Sequence, residues 1–163
     1  MSEVVLSVRA MTDVRGFMAA YRDAIGAEAM RNAYGPHWPR ARLHGEELFE
    51  CRDLADQALL GWGSLLYDAS ERVMWHSHGI FPAYQARGVT PQLSRWLRRF
   101  AFEHTPCVAV GCKVLDTNPR FQLWMREKNP NPGWQFAGHI TLPPPGYDVH
   151  IFSRAYWEAH ERA

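Results

Sequence analysis

Apolar and polar residues follow two different periods in the middle of the chain. Residues 73–81 are rich in β-branched and aromatic side chains and stop at Pro82, which predicts a strand. Over residues 91–104, apolar residues recur at helical spacing: Leu93, Trp96, Leu97, Phe100 and Ala101. This spacing predicts an amphipathic helix with one buried face. Thr90 is a good N-cap and Pro91 suits the first helical position, so we expect the helix to begin there.

The same two periods predict elements on either side of this segment. Predicted strands cover residues 4–8, 47–52, 57–67, 107–112, 134–142 and 148–153. Predicted helices are one capped by Thr12 and ended at Gly26, one over residues 27–33, one beginning at Asn118-Pro119, and one over residues 155–163. The predicted order is strand, two helices, three strands, helix, strand, helix, two strands and a terminal helix. Strands that alternate with helices in this way indicate a mixed α/β domain.

Length and composition limit the classes of protein to consider. The chain has 163 residues, which fits a single domain over residues 1–163, and nearly half of them are apolar. A net charge of +1 gives no general attraction to nucleic acid or to anionic membranes. No leader sequence and no apolar run long enough to span a membrane is evident. The three cysteines lack zinc-ribbon spacing and indicate reduced thiols, so we expect a cytoplasmic protein.

The turn between the central strand and its helix carries the most specific signal. A strand, a glycine turn and a helix that begins at once bring several main-chain amides together at the positive end of a helix dipole, where an anion binds well. The turn resembles the Q/R-x-x-G-x-G/A signature of the GCN5-related N-acetyltransferases, and it carries the upstream Pro82 and Tyr84 usual in that family. The matching residues are Gln85, Ala86, Arg87, Gly88, Val89 and Thr90.

This resemblance implies a fold and a donor substrate. The implied fold is a central mixed, splayed, largely antiparallel sheet of about seven strands flanked by four or five helices. The implied donor is acetyl-CoA, with its diphosphate on the amides of residues 85–90. Its pantetheine arm would contact main-chain groups of Gly79, Ile80 and Phe81. Asn118 matches a family residue that contacts this arm, although Asn-Pro is an equally good helix start.

Two departures from the family pattern concern the cofactor and the proton donor. Thr90 stands where Gly or Ala is usual, and Pro91 has no amide to offer, so the cradle lacks one donor. The family often places a tyrosine that protonates the leaving thiolate where this chain has Trp124 and Met125. Tyr147 is the replacement that the sequence offers, beside an ordinary role as an edge aromatic.

Two histidines are the candidate catalytic groups. His76 and His78 are two residues apart on the predicted strand, so both should point to one face of the sheet. An imidazole with a pKa near ~6.5 can act as a base at neutral pH. His76 has a spacing similar to that of a histidine in the arylalkylamine acetyltransferases, and we expect it to be the base, with His78 as relay or co-base. A histidine pair in a strand is also a common metal ligand pair, and Cys112 is a candidate third ligand, although we expect no metal.

The acceptor side is less well defined. Tyr34, His37 and Trp38 fall in the region that commonly covers the acceptor in the family, where aromatic rings could stack on an amine. We expect an N-acetyltransferase that acts on a small-molecule or macromolecular primary amine by direct attack. Because residues 31–44 include a basic cluster, an amino group on a nucleobase is an alternative acceptor. A homodimer is an alternative to a monomer. Thr90 and Pro91 favour the alternative of a binding module that has lost catalysis.

Overall fold

A computed structural model describes residues 4–35 and 45–163 of the chain. Within these residues the strands are β1 (Leu6–Ala10), β2 (Glu47–Asp53), β3 (Leu59–Asp68), β4 (Val73–Ile80), β5 (Ala109–Leu115), β6 (Trp134–Ile140) and β7 (Tyr147–Ser153). The helices are α1 (Val14–Ile25), α2 (Ala27–Tyr34), α3 (Val89–His104), α4 (Pro119–Leu123) and α5 (Arg154–His160). Helix α4 continues into a π-helical turn at Trp124–Lys128. No helix in the described part of the chain is long and apolar enough to cross a membrane.

The strands form one open sheet with the order β1-β2-β3-β4-β5-β7-β6. All neighbours are antiparallel except β4 and β5, which run parallel. Their pairing joins Val73–Trp75 to Ala109–Gly111 and goes no further, although both strands continue. The predicted fold class, a mixed, splayed and largely antiparallel sheet flanked by helices, is therefore confirmed.

Helices cover both faces of the sheet, and α1 and α3 each bury an apolar stripe. On one face, α3 places Leu93, Leu97 and Ala101 against the central strands, and all three side chains are fully buried. On the other face, α1 buries Tyr21 in a separate cluster with Trp62 of β3. The apolar residues at helical spacing in the sequence predicted the buried stripe of α3.

Several predicted boundaries differ from the observed ones. Helix α1 is capped by Asp13, whose carboxylate accepts a 2.9 Å hydrogen bond from the amide of Gly16, and not by Thr12. Strand β5 lies later than predicted, over Ala109–Leu115, because β7 pairs with it as far as Leu115.

Candidate functional site

The loop between β4 and α3 ends in a glycine that turns the chain into the helix. Gly88 has the left-handed conformation, with a φ of 75°, which glycine adopts without strain. As the N-cap, Gly88 has no side chain that could accept from the first turn of α3. The first amides of the helix, those of Val89 and Thr90 among them, therefore have no partner within the helix and can donate to a ligand. The positive end of the helix dipole lies at the same place, so the turn favours an anion.

Helix α3 begins at Val89, so the prediction that Thr90 caps it and Pro91 opens it is wrong. Gly88 is the N-cap, and Thr90 and Pro91 belong to the first helical turn. The left-handed glycine lets the chain enter the helix earlier than a threonine cap would. Proline is tolerated in this turn because the amide that it lacks would have no partner in the helix. The cradle still has one donor fewer than a chain without Pro91.

Other residues of the loop bind the protein itself and hold the loop in place. The side-chain amide of Gln85 donates to the carbonyl of Ile80 at 3.3 Å, across the end of β4. The Arg87 guanidinium lies 5.6 Å from the centre of the Tyr84 ring. Ala86 has a φ of 61°, unusual for a residue with a Cβ. The main-chain amides of the loop are therefore the groups that can bind an anion, because the side chains of Gln85 and Arg87 contact other parts of the protein.

The gap between β4 and β5 opens directly beside this loop. The amide of Phe81 donates to the carbonyl of Leu60 on β3 at 2.9 Å. Since hydrogen-bonding direction alternates along an antiparallel strand, the main-chain groups of Gly79 also face β3, and those of His78 and Ile80 face the gap. Phe81 is thus a poor candidate for main-chain contact with a cofactor arm. Ile80 has the direction that such a contact requires.

Gly79 has a packing role that the sequence does not reveal. A Cβ at this position would lie 2.4 Å from the Tyr21 hydroxyl and 2.4 Å from the Trp62 indole nitrogen. A side chain here would displace the aromatic cluster under α1. The glycine thus lets α1 approach β4 closely.

His76 and His78 share one face of the sheet, the face that carries α3. Their rings are stacked, with centroids 5.7 Å apart and planes 25° apart. His76 is 6% exposed, and its ring lies 5.2 Å from the ring of Trp134. Its Nδ1 atom has no hydrogen-bond partner among the described residues. A buried polar atom in this state is uncommon, because the unmade bond costs free energy that a ligand could restore.

Both imidazoles are neutral at pH 7. Burial, then repulsion by His78 and by Arg98, lowers the pKa of His76 well below 6.5. Burial lowers the pKa of His78 to about 4. A neutral imidazole accepts a proton at one nitrogen and donates one from the other, so the pair can relay protons. However, because the pKa of each is lowered, both imidazoles are weaker bases than an unperturbed histidine.

Two cavities meet at these histidines. One, of about 410 Å³, lies between α3 and the π-helical turn and extends to Trp134. The other, of about 270 Å³, passes through the gap between β4 and β5 and reaches Tyr34 at the end of α2. Residues that line both are His76, His78, Thr90, Cys112 and Phe121. A ligand at the start of α3 and a second molecule entering from the side of α1 and α2 would therefore meet at the histidine pair.

Cys112 lies in the wall of both cavities but is a poor nucleophile. Burial raises the pKa of its thiol to about 12, and only the thiolate attacks an acyl group efficiently. A metal site at the histidines would need a third ligand. Among residues 4–35 and 45–163, no group of three His, Cys, Asp or Glu side chains could hold a metal ion.

Asn118 and Tyr34 both line the cavity in the gap. Asn118 is the N-cap of α4, yet its side chain makes no capping hydrogen bond, and its carbonyl accepts from the amides of Phe121 and Gln122. Its side chain is therefore not used by the helix. The Tyr34 hydroxyl donates to the carbonyl of His78 at 2.7 Å. The other expected acceptor residues, His37 and Trp38, lie outside the described residues.

Tyr147 lies on the opposite face of the sheet from the histidines. It pairs with Leu115 at the end of β5, and its ring lies 5.4 Å from the Lys113 ammonium. Lys113 and Leu115 alternate with Cys112, which faces the histidines. The register of β7 therefore places Tyr147 with Lys113 on the face of α1 and α2, in keeping with the role of an edge aromatic. Its role as proton donor to the sulfur stays a prediction.

The structure adds Tyr21, Ser77 and Lys113 to the gap cavity. Tyr21 belongs to the buried stripe of α1, and in sequence it cannot be told from an ordinary core residue. Lys113 offered a clearer signal, because a lysine inside an otherwise apolar strand needs an outlet for its charge.

No protein-family model matches this sequence, and no curated protein matches it. Solved structures do match over nearly the whole chain. A spermidine/spermine N-acetyltransferase, SpeG from Vibrio cholerae, in complex with manganese ions is 16% identical, with a TM-score of 0.67 and 96% of each chain covered. A Vibrio cholerae spermidine N-acetyltransferase in complex with CoA and spermine is 17% identical, with a TM-score of 0.64, covering 90% of this chain and 92% of that one. The aminoglycoside acetyltransferase AAC(6')-Ib in complex with coenzyme A and kanamycin is 12% identical, with a TM-score of 0.71, covering 96% and 99%.

The open sheet, the split between its two parallel strands and the glycine turn before α3 match the fold that the sequence predicts. The chain has the fold of the GCN5-related N-acetyltransferases, which confirms at the level of the fold the resemblance seen in residues 85–90.

Proposed function

We propose that the protein is an N-acetyltransferase that uses acetyl-CoA to acetylate a small-molecule primary amine by direct attack. One observation carries the proposal: the gap between β4 and β5 joins the amides at the start of α3 to a second cavity on the other side of the sheet. A reaction between two bound molecules needs such a passage, because the donor and the acceptor must meet while each keeps its own binding surface. The solved structures with CoA, spermine and kanamycin support the same class of reaction.

The residues present fit the donor. Gly88 has no atom within 4 Å of the place where a Cβ would stand, so the main chain is open to a bulky anion. The amides of Val89 and Thr90 would hold the diphosphate, and the Asn118 side chain is available for the arm. Acetyl-CoA, when bound, supplies the acetyl group as a thioester, whose C–S bond breaks as the amine forms its N–C bond.

The chain itself contributes polarisation and proton movement. The amide of Ile80 faces the gap and could donate to a carbonyl oxygen there, which stabilises negative charge as it develops. The amine must lose a proton, and the neutral His76–His78 pair can accept it and pass it on toward the departing sulfur. Burial raises the pKa of the Cys112 thiol to about 12, which disfavours an acetyl-cysteine intermediate and supports direct attack.

Calorimetry and a thiol-release assay test this proposal. We expect saturable binding of acetyl-CoA, and release of free CoA that depends on an amine from a broad panel. His76→Gln should lower turnover and leave acetyl-CoA affinity nearly unchanged, and His104→Gln, at an exposed histidine of α3, should behave as wild type. Turnover unaffected by His76→Gln would remove that residue from the mechanism. Binding of acetyl-CoA without turnover of any amine would favour the binding module instead.

A further inference from the structure

Lysine is scarce in this chain, and one of its lysines lies at the candidate site. Lysine occurs only at Lys113 and Lys128, and arginine supplies the other basic side chains that make up the total of 18. Lys113 lies on β5 between Cys112 and Val114, which are both buried on the face of α3. Because side chains alternate along a strand, Lys113 points to the face that carries α1 and α2, and there it lines the gap cavity.

Aromatic rings hold the Lys113 ammonium in place. The nitrogen lies 4.3 Å from the centre of the Trp75 ring and 5.4 Å from that of Tyr147. Ring faces attract cations without neutralising them, so the positive charge stays available to a ligand. In the described part of the chain, no carboxylate forms an ion pair with Lys113. The pKa of the Asp68 carboxyl is lowered mainly by the Ser70 hydroxyl, which donates to it at 2.6 Å. The positive charge of Lys113 lowers that pKa by a smaller amount.

The described residues around the gap cavity therefore carry a net positive charge. Among the described residues that line it, none is an aspartate or a glutamate, and both histidines are neutral at pH 7. Among these described residues, Lys113 carries the one formal charge. A cavity walled in this way attracts an anion and repels a molecule that carries several positive charges.

We propose, on the basis of the proposed function, that the acceptor is a primary amine that also carries a carboxylate or phosphate group, which pairs with the Lys113 ammonium while the amine enters the gap. The related structures contain spermine or kanamycin, which are polycations, and the positive wall of this cavity disfavours such acceptors. The chemistry is unchanged: the amine gives up a proton, the N–C bond forms as the thioester C–S bond breaks, and the sulfur takes up a proton.

Matched pairs of amines that differ by one anionic group test this inference directly. Suitable probes are phenethylamine against phenylalanine, ethanolamine against phosphoethanolamine, and spermidine as a polycation. We expect wild type to prefer the anionic member in kcat/KM by about ten- to a hundredfold, the range that a charge-assisted hydrogen bond supplies. The two pairs also distinguish a carboxylate acceptor from a phosphate acceptor.

Substitutions at the two lysines separate this role from a general effect of charge. Lys113→Met keeps the length of the side chain and its contact with Trp75, and it should abolish the preference. Lys113→Arg should retain much of it, because the charge remains. Lys128→Met, at an exposed lysine on the π-helical turn, should match wild type. Thermal melts establish that each variant is folded.

Three results would overturn the inference. They are a wild-type preference for spermidine or for the neutral amines, a Lys113→Met variant that keeps the anionic preference, and acetyl-CoA binding with no turnover of any anionic amine. Calorimetry with acetyl-CoA, together with the turnover assay, distinguishes failure of the acceptor class from failure of the proposed function. A protein that binds acetyl-CoA and acetylates amines without an anionic preference refutes only the acceptor class. Absence of binding, or binding without turnover of any amine, refutes the proposed function and this inference with it.

Discussion

Replacing Gly88 by alanine tests the anion cradle, because the added methyl group stands where the main chain would meet the diphosphate. Gly88 has a φ of 75°, and an L residue in this conformation costs about 1–2 kcal/mol. No heavy atom lies within 4 Å of the new Cβ, so there is no clash to add to that cost. We therefore expect Tm to fall by about 2–8 °C for a chain of this size.

The loss in binding should be larger than this loss in stability implies. If the methyl group displaces the diphosphate from even one main-chain amide, a charge-assisted hydrogen bond of about 1.5–3 kcal/mol is lost. The dissociation constant for acetyl-CoA should then rise by about ten- to a hundredfold. Titration calorimetry measures this constant, and differential scanning calorimetry measures the change in Tm.

Gly26, between α1 and α2, provides the matched control. It also has a positive φ, 87°, and a Cβ added there would have no atom within 4 Å. Its ψ of 151° makes it at least as intolerant of a side chain as Gly88. Gly26→Ala should therefore destabilise the fold as much as Gly88→Ala, or more, and leave acetyl-CoA affinity unchanged. Equal affinity in wild type and Gly88→Ala, or an equal loss in both variants, would refute the cradle.

Further predictions concern the protonation and the stability of the folded chain. Burial in the folded state lowers the pKa of His78 to about 4, so the folded chain binds fewer protons than the unfolded chain at intermediate pH. The contribution of His78 to stability should therefore be lost as pH falls from about 6.5 toward 4. NMR titration of the imidazole measures its pKa, and a midpoint near ~6.5 would contradict this prediction. Cys112 should resist iodoacetamide at pH 7.5 and carry no hydroxylamine-sensitive acetyl group after incubation with acetyl-CoA, both read by intact mass, since burial raises its pKa to about 12. Asp148→Asn should lower the free energy of unfolding by about 1.5–3 kcal/mol in urea titrations, because the buried carboxylate accepts hydrogen bonds from Arg126 and His139; an unchanged transition would show that this cluster does not stabilise the fold.

Local patterns in the sequence predicted the elements and the fold class, because they depend on residues close together in the chain. The buried stripe of α3 and the alternation of His76 and His78 each follow from a helical or strand period alone. The glycine turn could be placed for the same reason. Its detailed geometry could not, because the choice between Gly88 and Thr90 as the cap depends on how β4 ends and where Val89 is buried.

Residues whose role depends on pairing between distant strands were beyond the sequence. The sequence did not place Tyr147 relative to the histidines, and the register of β7 against β5 places it with Lys113 on the other face. The low pKa of His78 was equally hidden, because the burial that causes it comes from elements far apart in the chain. The sequence-based prediction of a base with an ordinary pKa therefore needs revision toward a neutral relay.

The gap between β4 and β5 opens along the edges of the two strands that face each other. Along their other edges, β4 pairs with β3 and β5 pairs with β7 over their whole lengths, so the rest of the sheet stays paired where the two strands diverge after Trp75 and Gly111. On one face the Trp75 ring fills the space that a side chain at Gly111 would need, since a Cβ there would lie 2.6 Å from it. Beyond these residues no pairing joins β4 to β5, so the twist of the sheet moves the two strands apart.

Side chains also satisfy the polar groups that the divergence exposes. The carbonyl of His78 accepts the Tyr34 hydroxyl, and the carbonyl of Ile80 accepts the Gln85 side-chain amide. Without these donors, both carbonyls would favour closure of β5 onto β4, because an unpaired buried carbonyl is costly. The residues that line the candidate site thus also hold it open. Tyr34→Phe should make closure of β5 onto β4 easier, and it should also weaken any contact of Tyr34 with the acceptor.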